Sequence, residues 1–216
     1  MKLIDIKGNY DAIFSLGEDC YVGFWLNQFN LRPFSGVIDW VRSPSLKDVN
    51  RLLNNRFKNF LELQNLSFVC YTPEGANNLI IRDNFYNMDS VHDFLSTVNT
   101  PTSLSQYTEI KEKYNRRIQR FVNCMETSER ILFIRSAGTY EEVVELEKVL
   151  SNMVKHNFCI LLILNGDSDE IREVDWGLKH TCVVSYKLYP ISEKEYVNNI
   201  NTCTRLFSGI TVTPQI

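Results

Sequence analysis

Two hydrophobic periods take turns along this chain. An apolar run at Ala12, Ile13, Phe14 and Leu16 is broken by Gly17-Glu18-Asp19, and Val22, Trp25, Leu26 and Phe29 then fall at i, i+3, i+4 and i+7, the spacing of one helix face. This predicts a buried strand, a tight turn and a helix, with Asp19 as N-cap and Cys20 in the first helical turn. Leu31 to Trp40 reads as a loop holding Arg32, Pro33, Gly36 and Asp39. Ser45 opens a second helix, with Leu46, Val49, Leu53 and Phe57 on its face and Asp48 in the capping-box position. Ser103 to Glu126 predicts a long helix with an apolar stripe at Ile110, Tyr114, Ile118, Phe121 and Met125.

A β–α–β pattern follows. Ile131 to Arg135 is a short buried strand, Thr139 and Glu142 form a capping box, and Val143, Leu146, Leu150 and Met153 line the next helix. Phe158 to Leu164 is apolar throughout, as in a central parallel strand covered on both faces. Val183 to Tyr189 predicts a strand nearer the edge, and Tyr196, Ile200, Cys203 and Phe207 a last helix before a short tail. Residues 1–9 read as a lead-in. The pattern weakens around 60–102. Ser67 to Tyr71 and Leu79 to Arg82 suggest short strands joined by a turn at Pro73 to Asn78, and Asn84 to Thr102 reads as polar and irregular.

Strands alternating with helices predict an α/β fold. The expected form is a single domain over residues 1–216 on a mostly parallel, doubly wound, Rossmann-like sheet with helices on both faces and an irregular insertion around 60–102. In such folds ligands sit at the carboxyl ends of the strands. Those ends are Ser15-Leu16-Gly17 with Cys20, then Arg135-Ser136, then Asn165-Gly166-Asp167.

Composition narrows the classes. The chain has 216 residues, 44% hydrophobic and 23% charged, with a formal net charge of -3, which gives no reason to expect nucleic-acid binding. No apolar run nears the roughly 20 residues that cross a bilayer, and MKLIDIKGNYD lacks the core of a signal peptide. Six scattered cysteines with no CxxC pair predict free thiols and a cytoplasmic setting. Three histidines away from cysteines at ligand spacing argue against a structural zinc site, and no cofactor is expected. Oligomeric state is left open.

Chemistry concentrates at Cys20. A helix N-terminus favours an anion and lowers a thiol's pKa, whereas the adjacent acids Glu18 and Asp19 act in the opposite sense; the other reading of Cys20 is a small buried hydrophobe. Lys111, Lys113, Arg116, Arg117 and Arg120 crowd the long helix, either as a solvated face or as an anion contact.

Several short motifs together resemble a family of uncharacterised, mainly bacterial proteins labelled putative papain-like cysteine peptidases: S-L-G-x-x-C at Ser15 to Cys20, Asp39-Trp40, His92-Asp93-Phe94, Y-x-R-R-x-x-R-F from Tyr114 to Phe121, and Ile131 to Arg135. The family usually has P-F before the D-W pair, where this chain has Val37-Ile38. The resemblance implies a Cys–His hydrolase acting on a peptide or other acyl substrate. Cys20 would be nucleophile and His92 general base, with Asp93 or Asp39 orienting the imidazole. It also implies genes lying beside those for surface polysaccharides. That suits a second reading, a Rossmann-like binding or transferase domain for a phosphorylated, glycan or nucleotide-sugar ligand. Its site would be Ser15, Gly17, Asp19, Arg116, Arg117 and Arg135, although G-x-G-x-x-G is absent.

Overall fold

The computed structural model describes residues 1–73, 77–190, 194 and 196–214, so the middle of the turn expected between Pro73 and Asn78 lies outside the described residues. The fold is mixed α/β. Its central sheet runs in the order β2 (Ala12–Ser15), β7 (Arg130–Ser136), β8 (Asn157–Asn165), β10 (Thr181–Tyr186) and β9 (Arg172–Val174). The first four strands pair in parallel and β9 pairs antiparallel with β10. Successive side chains of a strand point to opposite faces, and the core divides accordingly. Phe14, Phe133, Ile160 and Leu162 face one side with α2 (Leu46–Asn54), α3 (Tyr107–Thr127) and α4 (Tyr140–Met153). Ile13, Leu132, Leu161 and Ile163 face the other with α1 (Tyr21–Gln28) and α5 (Tyr196–Phe207). Buried on both faces, β8 therefore reads as a continuous apolar run.

The expectation of one mostly parallel sheet holds only for this central part. A second, antiparallel sheet runs β3 (Val41–Arg42), β6 (Met88–Leu95), β5 (Asn78–Asp83) and β4 (Leu66–Tyr71). It occupies most of the stretch expected to be an irregular insertion. Strand β6 was not legible because its polar residues at Asp89, Ser90, His92 and Asp93 hide the alternation. Their partners are distant in sequence: Arg82 donates twice to Asp89 at 2.7 and 3.0 Å, and Tyr114 donates to Asp93 at 2.6 Å. The supposed lead-in and tail also pair, β1 (Gly8–Tyr10) lying parallel to β11 (Ile210–Val212). Among the described residues no helix is long and apolar enough to cross a membrane.

One set of contacts joins the two larger sheets. Ser43, just after β3, donates its N–H to Glu18 O at 2.8 Å. Arg135, fully buried at the end of β7, donates to Leu16 O at 2.8 Å and to Ser43 Oγ and O at 2.9 and 2.7 Å. The turn after β2 is thus tied to β3, β3 pairs with β6, and β6 carries His92.

Candidate active site

The turn after β2 is tightly built. Gly17 and Glu18 both adopt left-handed backbone, at φ +78° and +48°, where a non-glycine residue is strained. A Cβ on Gly17 would collide with Ser43 Oγ. Ser15 Oγ accepts from the Gly17 N–H at 3.1 Å, and Ser136 Oγ donates to Gly17 O at 3.1 Å. Ser15 and Gly17 therefore shape the turn, and both are buried.

Cys20, not Asp19, occupies the N-cap position of α1. The Asp19 carboxylate instead accepts from the Cys20 N–H at 2.7 Å. Helix geometry leaves the first amides of α1 without intrahelical acceptors beside the sulfur. Burial pushes the Cys20 thiol up to about 12; the charge and hydrogen bonding of Asp19 add to this, while Arg42 acts in the other direction.

His92 reaches the sulfur from the second sheet. Leu79 on β5 pairs with Phe94 on β6, and Ile81 with Ser90, so Ile80 alone stands against Val91, His92 and Asp93. Such a bulge bends the strand and re-aims its side chains. His92 Nε2 lies 3.4 Å from Cys20 Sγ, the separation of a nucleophile and base in a site without substrate. The imidazole packs edge-on to Trp40 at 5.6 Å between ring centres, and Trp40 in turn carries the Arg32 guanidinium at 5.2 Å.

Neither expected acid hydrogen-bonds to the imidazole. Asp93 binds Ser90, Tyr114 and Lys113. Burial alone would raise its carboxyl, but these partners, Lys113 foremost, outweigh it and hold the group below its ordinary value. Asp39 is buried and accepts from Arg32 at 2.6 Å and from the Gly36 N–H at 2.7 Å. Its place is to fix the loop that delivers Trp40. Gly23 of α1 lies so close to this loop that a Cβ there would meet Asp39 O at 2.7 Å.

The basic residues part company. Trp40, His92, Asp93, Lys113 and Arg117 line one cavity of about 380 Å³. Arg116 lines another, with Gln119, Arg120 and Asn123. Arg135 points into the protein, where burial lowers its pKa to about 10. All six cysteines are free, and among the described residues no cluster of His, Cys, Asp or Glu could hold a metal ion.

Residues 11–168 match the family described as "Putative papain-like cysteine peptidase (DUF1796)". The chain belongs to this family. The peptidase-family match takes in both Cys20 and His92, and ends before β9. An uncharacterized protein, R408, of Acanthamoeba polyphaga mimivirus is 30% identical over 184 residues, covering 77% of this chain and 82% of the viral protein. This relative is viral, whereas the motifs alone suggested a bacterial family. No solved structure matches the chain.

Three residues of this candidate site were not among those the sequence singled out for it. Trp40 was visible only as half of a D-W pair, and Ser43 carried no signal. Lys113 was named only within the basic cluster of the long helix, though its i, i+4 spacing to Arg117 puts both on one face of α3.

Proposed function

We propose that this protein is a cysteine-dependent hydrolase or acyl-transfer enzyme, with Cys20 as nucleophile and His92 as general base. The observation that carries the reading is the 3.4 Å contact between Cys20 Sγ and His92 Nε2 at the N-terminus of α1. Because the Cys20 thiol is held up to about 12, the resting nucleophile at neutral pH is the thiol, not a preformed thiolate. The proton passes from Sγ to Nε2 as sulfur attacks the acyl carbon. Free amides of the first turn of α1 meet the oxyanion. Collapse expels the leaving group, which takes the proton back from Nε2 and leaves a thioester on Cys20. Water, deprotonated by His92, then releases the acid and restores the thiol. Peptide substrates accord with the family's description, and six unpaired cysteines accord with a reducing compartment such as the cytoplasm.

The other reading, a phosphate or nucleotide-sugar site, draws less support. Arg135 spends its donors on Leu16, Ser43 and Ala137, and Arg116 faces a different cavity from Arg117.

The test is acylation of the intact protein by p-nitrophenyl acetate, with the acetyl group located by peptide mapping. Cys20 is expected to carry the thioester, and His92→Ala to slow its formation by about 10²- to 10⁴-fold, the usual contribution of a general base. Acetylation at other residues only, or a Cys20 rate indifferent to His92→Ala, overturns the reading.

A further inference from the structure

The cavity beside His92 is not neutral. Its lining holds two cations, Lys113 and Arg117, and one carboxylate, Asp93. Lys113 and Asp93 pair with each other, and Asp93 is further saturated by Ser90 and Tyr114. Among the described residues Arg117 has no such carboxylate. Its guanidinium lies over the Tyr114 ring at 5.3 Å. Its Nη1 is sealed from solvent and has no hydrogen-bond partner among the described residues. A guanidinium presents a planar fork of donors that matches a carboxylate. Trp40 lines the same cavity and packs edge-on to His92, whose Nε2 meets Cys20 Sγ.

We propose that this cavity selects acyl substrates bearing a carboxylate, which Arg117 holds with Lys113 beside it while the acyl carbon lies at Cys20. The proposal rests on the hydrolase reading and names its substrate class. A monoanion fits better than a phosphate. The single uncompensated positive charge balances one carboxylate, whereas a phosphate dianion would meet the Asp93 carboxylate with only Arg117 free to answer it. An acidic side chain and the free carboxyl end of a peptide share this chemistry.

The experiment compares Cys20 acylation by p-nitrophenyl hemiglutarate and by the neutral p-nitrophenyl valerate of equal chain length, in wild type and in Arg117→Gln. The hemiglutarate is expected to react about 10- to 100-fold faster in wild type, the range of a hydrogen bond to a charged group, and the ratio to fall close to one in Arg117→Gln. A wild-type ratio near one, or a preference that survives Arg117→Gln, overturns the proposal. If neither ester acylates Cys20, the hydrolase reading fails. Titration with glutarate, followed by calorimetry, then decides the cavity independently. Saturable binding lost in Arg117→Gln upholds the carboxylate site, and absence of binding overturns it. Tighter binding of inorganic phosphate than of glutarate also overturns it. Peptides ending in alanine or aspartate, with free or amidated carboxyl ends, then distinguish the two sources of the carboxylate.

Discussion

Arg135 donates to both the hydroxyl and the carbonyl of Ser43, at 2.9 and 2.7 Å, across 92 residues of sequence. With its bonds to Leu16 O and Ala137 O, this one guanidinium fastens the Cys20 turn to the strand pair that carries His92. Replacing it by methionine keeps much of the volume and leaves several buried carbonyls without donors. At about 1–3 kcal/mol for each unsatisfied group, Arg135→Met should lose about 3–5 kcal/mol of stability in urea unfolding. Arg135→Lys should recover only part, because an ammonium lacks the fork. A loss below about 1 kcal/mol in the methionine variant would refute the clamp.

The charges around Cys20 make two opposite predictions. Burial is the main cause of its raised pKa, and Asp19 the next, while Arg42 lowers it. Asp19→Asn should therefore bring the thiol down, and the rate of iodoacetamide labelling at Cys20 near pH 8 should rise by up to about tenfold. Arg42→Gln should send the thiol up and slow labelling. Site-resolved mass spectrometry is needed because Cys70 is exposed. Changes of the same sign in both variants would rule out this electrostatic account.

How far the sequence could be read depended on the range of the forces involved. The parallel strands of the central sheet were legible because their burial is written locally, as in the unbroken run of β8. The turn at Gly17 and the helix after it were legible for the same reason. Strand β6 was not, since its polar side chains are balanced by Arg82, Lys113 and Tyr114, which only the fold brings near. Cys20 and His92 could each be singled out, but 72 positions separate them and no local signal encodes the bulge that brings the imidazole to the sulfur. Acid and imidazole adjacent in sequence suggested a pair, yet Asp93 turns to the long helix instead.

Stability should fall in alkaline solution. Burial, first among the causes, pushes Cys20, Cys182 and Cys203 up to about 12 in the folded chain, against about 8.5 for an unfolded thiol. The folded state then binds these protons more tightly than the unfolded one. Their contribution is fully present below about pH 8.5 and is lost as pH rises toward 12. Denaturant midpoints are expected to drop steadily over that interval, and Cys203→Ala, whatever its cost at pH 7, should flatten the slope. A midpoint constant from pH 8 to 11 would contradict these thiol environments.

No acid among the described residues sits on the imidazole, and Trp40 packs edge-on to His92 at 5.6 Å. If this contact orients the ring, it keeps Nε2 on Cys20 Sγ. No side chain among the described residues hydrogen-bonds His92 Nδ1, so the indole is the ring's main packing contact beside the thiol. Trp40→Ala should therefore slow Cys20 acylation by p-nitrophenyl acetate by about 10- to 100-fold, the scale expected when a reacting group moves by about an ångström. Trp40→Phe retains an aromatic edge and should restore most of the rate. Asp93→Asn, by contrast, should cost far less than the roughly 10⁴-fold seen where an acid fixes a catalytic histidine, because Asp93 binds Ser90, Tyr114 and Lys113 and not the ring. A purely structural role for Trp40 would lower the unfolding midpoint and leave the acylation rate of the folded fraction intact. If that is the result, the histidine is held by its strand alone and the bulge in β6 is sufficient to aim it.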